Sequence, residues 1–215
     1  MSELALAQGY IRDLDLVPHP EGGWFKLVHV SDDKIPSPYV KHDDRERSLC
    51  SVIYYLLAPE KLSLTGEDKP ASLPAKHRNH AGYFHTNNST TVHTWHGGKA
   101  IYTLIKIADT SANGGMNGHG TQHQQPEIKR VVVGDDDKAG ETRVLVVGPG
   151  WWKRSQTLSP DGHCLISETV TPGWVPEDHT FMSSKDLQEL FRDQHDLLTE
   201  FEAHVLPEGH ELEFV

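Results

Sequence analysis

The sequence predicts an all-β fold, an antiparallel sandwich or barrel, with a helix at each end of the chain. Most of the chain consists of short segments that are rich in β-branched and aromatic residues and bounded by Gly, Pro, Asp or Asn. Turns separate these segments, whereas a parallel sheet would need helical crossovers. With 215 residues the chain is long enough for one well-cored domain, which at this size buries roughly 70% of its unfolded surface.

The predicted elements begin with a helix over residues 3–14. Six segments with strand character follow, in the order WFKLVHV, LCSVIYYLLA, KAIYTLIKIA, IKRVVVG, ETRVLVVG and HCLISETV. A longer helix is predicted over about residues 184–205, with Ser183 or Ser184 available as its N-cap. Its apolar residues approximate one face: Leu187, Leu190, Phe191, Leu197, Leu198, Phe201 and Val205. We expect this helix to pack on the outside of the barrel or against a partner subunit.

Two connecting segments differ from the short turns elsewhere. Residues 65–82 carry two prolines and a pair of histidines, and residues 109–126 are rich in Gly, Asn, Gln and His. The second segment is long and lacks an apolar period, which predicts a mobile loop or a lid over one rim. The segment GDDDKAG is predicted to be a hairpin turn between VVV and RVLVV, because Asp and Gly suit such a backbone. Calcium binding by its three aspartates is the less favoured interpretation.

The composition excludes several classes of function. A formal net charge of -11 argues against a nucleic-acid or anionic-membrane surface, since either needs clustered Lys and Arg. No apolar run approaches the ~20 residues that span a bilayer. The N-terminal stretch lacks the basic start and long apolar segment of a signal peptide, so we expect a cytoplasmic protein. Cys50 and Cys164 lie in strand-like apolar segments and are predicted to fill core space as thiols.

The stretch GYFHTNNSTTVHTWHGG, residues 82–98, is the most informative motif. It resembles the first motif of the cupin superfamily, in which glycines frame a His-x-His pair and a Glu. Here the three ligand places read His85, Asn87 and Thr91, while the closing glycine falls at Gly98, where the spacing requires it. The glycine frame is therefore present, but most of the metal ligands are replaced.

An ordered series of blocks extends this resemblance over about residues 14–181. The blocks are PHPEGGWFKLVH, SVIYYLL, AIYTLI, VLVVGPGWW and ISETVTPGW, together with the motif above. The chain resembles a small single-domain cupin family of the rhamnose-epimerase-like jelly-roll type, long catalogued as a domain of unknown function. The resemblance implies one cupin domain over residues 1–215, with a double-stranded β-helix barrel at about residues 17–181. It also implies one open end, a pocket between the sheets, and a homodimer.

The replaced ligands argue against a metal or other cofactor at the usual cupin position. In the second cupin motif, Lys153 stands where the last metal-binding His would be. A first-row metal needs three or four imidazoles or carboxylates that converge on one point. One imidazole with Asn, Thr and an ammonium supplies too little. Five histidines between positions 77 and 96 leave a rearranged site open, but strand alternation predicts that His93 and His96 point to opposite faces.

The remaining groups suit proton transfer. His85 is the predicted base or acid, and Lys153 is predicted to hold an anionic group or stabilise an enolate. Glu168 is predicted either to orient His85 or to act as a second acid, with a solvent-facing position on the outer sheet as the equal alternative. The predicted ligand-binding residues are Asn87, Thr91, His93, Tyr54, Tyr102 and Trp152, the aromatic ones by stacking. Glu21 lies in the glycine-rich EGGW turn, where its role is open between function and structure.

Three functions remain open from the sequence. The first is a metal-independent isomerase, epimerase, lyase or dehydratase that acts on a small oxygenated metabolite. The second is a non-catalytic cupin that binds or senses a small molecule. The third is a metal-dependent oxygenase with a relocated histidine site.

Overall fold

A computed structural model describes residues 2–39, 45–64, 77–107 and 125–206 of the chain. Two antiparallel sheets, of six and five strands, form the body of the fold, and a two-stranded ribbon adjoins them. One core cluster contains residues of both sheets, among them Tyr55, Tyr102 and Ile166, so the two sheets pack face to face. The predicted all-β jelly roll with terminal helices is confirmed.

The helices and strands within the described residues have the following bounds. The helices are α1 (Glu3–Asp13), α2 (Ser184–Leu190) and α3 (His195–Phe201). The strands are β1 (Val17–Pro18), β2 (Trp24–Val30), β3 (Lys34–Pro36), β4 (Glu46–Ser48), β5 (Ser51–Leu57), β6 (His85–Thr86), β7 (Thr90–Gly98), β8 (Ala100–Lys106), β9 (Glu127–Val133), β10 (Val144–Val147), β11 (Trp152–Thr157), β12 (Cys164–Thr171) and β13 (Thr180–Phe181). None of these helices is long and apolar enough to cross a bilayer.

The strand order determines which residues meet inside the fold. The larger sheet runs β1-β2-β5-β12-β7-β10 and the smaller one β13-β6-β11-β8-β9. The motif around His85 is therefore divided, because β6 lies in the smaller sheet and β7 in the larger one. Gly98, the closing glycine of that motif, has φ +70°, and a Cβ there would lie 2.0 Å from the carbonyl oxygen of His163. Glycine is thus required where β7 turns into β8.

The predicted N-terminal helix is confirmed as α1, which Ser2 caps by accepting a hydrogen bond from the backbone N–H of Ala5. The prediction of one continuous C-terminal helix is wrong, because the chain turns between α2 and α3. A straight helix over that range would be about 33 Å long. The turn instead brings Phe191 and Phe201 together, with ring centroids 5.6 Å apart, in one cluster on the outside of the smaller sheet. Ser183 is the N-cap of α2.

The predicted hairpin at GDDDKAG is also wrong, although its turn chemistry is correct. β9 pairs with β8 in the smaller sheet, whereas β10 pairs with β7 in the larger sheet. The segment therefore carries the chain from one sheet to the other. A short 3-10 turn at Asp137–Ala139 makes the bend, and the Asp136 carboxylate accepts hydrogen bonds from its backbone N–H groups. Residues 65–76, and residues 109–124 of the predicted lid, lie outside the described residues.

Candidate functional site

A cavity of about 250 Å³ lies between the sheets, slightly smaller than the ~300–1,000 Å³ of typical ligand pockets. Its apolar wall includes Phe25, Ile53, Tyr55 and Trp174. Its polar groups are His19, Glu21, Ser51, His85, Asn87, Glu168 and His179. These seven residues come from strands of both sheets and from the loops before β2, between β6 and β7, and between β12 and β13. The cavity is thus a mostly apolar space with a few convergent polar groups.

The EGGW turn places Glu21 in this cavity. The backbone N–H of Gly22 donates to the carbonyl of His19, and that of Tyr83 donates to the carbonyl of Glu21. Gly22 has φ +102°, and a Cβ there would lie 2.3 Å from the carbonyl oxygen of Ala81. Only glycine allows so close an approach. The turn is therefore pressed against the segment that leads into His85.

A second loop supplies His179 from the far end of the chain. The buried guanidinium of Arg47 contacts the Asp178 carboxylate and the carbonyl of Gly173, which fixes the segment after β12. The ring of His179 then stacks on that of His85, with centroids 4.9 Å apart and planes at 14°. Glu21 lies beside both rings: its Oε2 is 3.4 Å from His85 Nε2, and its Oε1 is 3.4 Å from His179 Nε2.

Hydrogen bonds on the far sides of these rings assign their tautomers. A backbone carbonyl can only accept, so the contact of 3.0 Å to the carbonyl of Tyr83 places the proton of neutral His85 on Nδ1. His85 Nε2 therefore turns a lone pair toward Glu21. The indole N–H of Trp174 can only donate, and it lies 3.2 Å from His179 Nδ1. Neutral His179 accordingly carries its proton on Nε2, facing the other carboxyl oxygen of Glu21.

The same surroundings keep Glu21 protonated near neutral pH. Burial, reinforced by the nearby Glu168 carboxylate and partly opposed by Lys153, raises the pKa of Glu21 to about 8. Burial and the positive charge of Lys153 lower the pKa of His85 well below its usual value. Burial likewise lowers the pKa of both His19 and His179 to about 3. The cavity therefore holds a carboxylic acid beside neutral imidazoles.

A second polar group lies deeper in the barrel. Lys153 lies opposite His85 in the smaller sheet, but its side chain crosses to the larger sheet, where Nζ is 2.7 Å from Glu168 Oε1 and 3.5 Å from His93 Nε2. His93 and Glu168 are cross-strand neighbours on β7 and β12. Burial alone would raise the pKa of Glu168, but the charge of Lys153 and the contact with His93 hold that pKa well below 4.5. Glu168 reaches the cavity wall, so the alternative of a solvent-facing position is wrong.

Four predicted ligand-binding residues lie in or behind the cavity wall. Asn87 lines the cavity, and its Oδ1 accepts a hydrogen bond from the backbone N–H of Ser89. Thr91 and His93 are buried on β7, and the ring of Tyr102 packs on His93 at 4.9 Å. His93 is buried and His96 is exposed, so the predicted separation of these two histidines is confirmed.

Tyr54 and Trp152 are not in the cavity, and both placements follow from strand alternation. Ile53 and Tyr55 line the cavity, so Tyr54 between them faces outward, edge-on to His96. Lys153 points inward from β11, so its neighbour Trp152 faces outward. Trp152 packs against the cluster of the C-terminal helices.

Sequence reasoning missed the roles of His19, His179 and Trp174, and left that of Glu21 open. His19 and Glu21 share the block PHPEGGW, and the backbone N–H of Glu21 donates to His19 Nδ1 at 3.2 Å. The two adjacent glycines indicated that the chain packs closely there. No local pattern around His179 or Trp174 indicates that they approach His85.

Two sets of residues can be compared with the needs of a metal ion, which many cupins bind. At the usual cupin position, the ammonium of Lys153 contacts Glu168, and the Asn87 oxygen is used in a turn; these groups do not fit a cation. Glu21, His85 and His179 have ligand atoms within 4.8 Å of one another, which is the composition of a two-histidine, one-carboxylate site. However, the hydrogen bond from Trp174 keeps the proton of His179 on the nitrogen that would bind the ion. As arranged, the triad does not fit a metal either.

Two facing antiparallel sheets, the glycine-framed motif and a cavity between the sheets define a cupin. The chain belongs to the Cupin_5 family of the cupin superfamily (DUF985), whose profile matches residues 8–66 and 74–182. An uncharacterized protein of Saccharomyces cerevisiae is 30% identical over 194 residues, which cover 83% of this chain and 76% of the yeast protein.

Solved structures support the same fold. A hypothetical protein from Leishmania major superposes with a TM-score of 0.66 at 22% identity, over 91% of this chain and 97% of its own. A protein from Shewanella oneidensis superposes with a TM-score of 0.64 at 21% identity, over 94% and 98% of the two chains. At these identities the likeness shows the fold alone.

Proposed function

We propose that this cupin catalyses proton transfer on a small oxygenated metabolite, as an isomerase, epimerase, lyase or dehydratase. The observation that carries the proposal is the pairing of Glu21 and His85 in the cavity. Their facing atoms are 3.4 Å apart, one as a protonated carboxyl and the other as an imidazole lone pair. Two groups whose environments separate acid from base in this way are suited to general acid–base catalysis.

The roles follow from the atoms that face the cavity. With a carbonyl compound beside both residues, His85 Nε2 takes a proton from the carbon next to the carbonyl. The Glu21 carboxyl gives its proton to the carbonyl oxygen, so that an uncharged enol forms. Return of a proton from His85 to carbon, and of the enol proton to Glu21, restores the enzyme. Return to a different carbon gives an isomer, and an epimer forms when the enol turns over in the cavity before His85 returns the proton. Neither outcome involves a net gain or loss of protons.

The role of Lys153 differs from the expected one because of its contacts. Its ammonium is neutralised by Glu168 and does not line the cavity, so it acts on the reaction through electrostatics. Its positive charge lowers the pKa of His85, which keeps that imidazole neutral and able to accept a proton. The hydrogen bond from Trp174 orients His179, whose Nε2 lies 3.4 Å from the other carboxyl oxygen of Glu21.

Hydrogen–deuterium exchange tests this proposal even when the product has not been identified. The protein is incubated in D₂O with a panel of small carbonyl metabolites, and loss of the C–H signal next to the carbonyl is followed by proton NMR. We expect exchange with at least one compound, slowed by ~10²–10⁴-fold in either Glu21→Gln or His85→Asn. His96→Asn, the same change at an exposed position, is the matched control.

Two results would reject the proposal. Exchange at the wild-type rate in both variants would show that neither Glu21 nor His85 takes part in the reaction. Tight binding of a panel compound without any exchange would favour the second candidate, a cupin that binds its ligand without turnover. The mostly apolar cavity wall is the observation that supports this candidate.

A further inference from the structure

The charges at the cavity restrict what it can bind. Among the residues that the structure describes, none that lines the cavity is Lys or Arg. Glu168 is the ionised group in the wall, and its charge is already matched by Lys153 at 2.7 Å. Lys153 itself is 3% exposed and lies behind that carboxylate. An incoming anion would therefore meet a carboxylate first and would have to separate a buried ion pair to reach a positive charge.

The cavity also disfavours a cationic ligand. The Glu168 charge is matched, and Glu21 would have to lose its proton close to another carboxylate before it could pair with an ammonium group. In addition, His85 Nε2 faces Glu21 Oε2 with a lone pair at 3.4 Å. This lone pair favours the protonated carboxyl over the carboxylate. Binding of a cationic ligand thus carries the cost of deprotonation as well as that of its own desolvation.

The wall groups match a ligand that both donates and accepts hydrogen bonds. The protonated Glu21 donates, whereas His85 Nε2 and Glu168 accept. The rings of Phe25, Tyr55 and Trp174 provide flat apolar surface next to them. A planar group with a carbonyl and an adjacent N–H or O–H satisfies the donor and the acceptors together.

We propose that the cavity selects a small, planar, uncharged molecule of this kind, such as a carboxamide or lactam, and that the Lys153–Glu168 pair excludes carboxylates. The inference rests on the site of the proposed function and names its class of substrate. Lys153 and Glu168 are then specificity-determining residues: they set the charge that a ligand meets, whether or not it is converted.

Three matched probes test the selection: benzamide, benzoate and benzylamine, which share a ring and differ in charge. Binding is measured by calorimetry at neutral pH on the full chain. We expect benzamide to bind wild type at least ~10-fold more tightly than either charged probe. Glu168→Gln leaves the Lys153 ammonium without its counter-ion, so the ratio of benzoate to benzamide affinity should rise by at least ~10-fold.

The double variant Lys153→Met with Glu168→Gln removes both charges and should retain the preference for benzamide without the gain for benzoate. It also keeps the test decisive if Glu168→Gln alone fails to fold. The pair of Lys99 and Glu141, also 2.7 Å apart, does not line the cavity and offers the matched control Lys99→Met with Glu141→Gln, which should change no affinity.

The inference is overturned if benzoate or benzylamine binds wild type as tightly as benzamide, or if benzamide fails to bind up to about 10 mM. If the ratio of benzoate to benzamide affinity is unchanged in Glu168→Gln, the ion pair does not determine the selectivity. These outcomes are separate from the exchange experiment. Selective benzamide binding without deuterium exchange would reject the proposed chemistry and keep this inference, and exchange without the selectivity would do the reverse.

Discussion

Replacing Glu21 with Gln should stabilise the protein, and increasingly so as the pH rises. The native protein keeps Glu21 protonated up to about pH 8, whereas the unfolded chain releases that proton near pH 4.5. Because the native pKa lies above the unfolded one, the stability that this group contributes is complete below the unfolded pKa. It is lost as the pH rises toward the native pKa. A glutamine is uncharged in both states and resembles the protonated acid, so Glu21→Gln avoids this loss.

The pH dependence of this stability difference follows from the titration of one proton. Between the two pKa values the unfolded state binds one proton fewer than the native state, which lowers the free energy of unfolding by about 1.4 kcal/mol per pH unit. Between about pH 5.5 and about pH 7.5, the advantage of Glu21→Gln over wild type should therefore grow by about 3 kcal/mol. The buried histidines titrate in both proteins and largely cancel in this difference.

Urea unfolding of the two proteins at several pH values in this range measures the difference directly. Glu189→Gln makes the same chemical change at an exposed position of α2 and is the matched control. If the stability difference between Glu21→Gln and wild type does not change with pH, Glu21 is ionised in the native cavity. Glu21 would then have no proton to donate, and its assignment as the general acid would be wrong.

Two further predictions concern the polar groups around the cavity. Lys153→Met leaves the Glu168 carboxylate buried without its partner and should lower the free energy of unfolding by about 3–5 kcal/mol. The double variant Lys153→Met with Glu168→Gln should recover most of this loss. Equal losses in the single and the double variant, measured by urea unfolding, would show that the two residues are not coupled. Trp174→Phe removes the hydrogen bond that fixes the tautomer of His179 and should tighten Co²⁺ binding by at least ~10-fold, read from visible absorption. Stoichiometric Co²⁺ binding to wild type, lost in His85→Ala, would instead restore a metal centre.

The fold is predictable because its signals are local. Alternation identifies strands such as β5 and β12, and turn residues mark where they end. Which strands pair is not a local property, and for this reason the Asp-rich turn has the pattern of a hairpin although it connects two sheets. The prediction of one C-terminal helix is wrong for a similar reason. Phe191 and Phe201 fit one helical face in sequence, but both rings are buried in one cluster only when the helix is broken.

The site is predictable only where a motif or strand register can place a residue. The motif places His85 and Asn87, and alternation leaves two choices for Glu168, which the packing of the sheets decides. Glu21 and His179 reach His85 from distant parts of the chain. Their approach depends on contacts that no local periodicity encodes, such as the closeness of Gly22 to Ala81 and the anchoring of Asp178 by Arg47.

The position of Lys153 explains how this barrel differs electrostatically from a metal-binding cupin. The ammonium stands where the second cupin motif would supply a metal ligand, and one imidazole and one carboxylate, His93 and Glu168, contact it. His93 and Glu168 are residues of the types that bind metal ions, but here they contact an ammonium that is covalently part of the chain. A tethered charge does not exchange and does not depend on metal supply. Because it lies behind Glu168, it acts on the cavity at a distance: it opposes protonation of His85 while Glu168 favours protonation of Glu21, which keeps acid and base apart in one small apolar space.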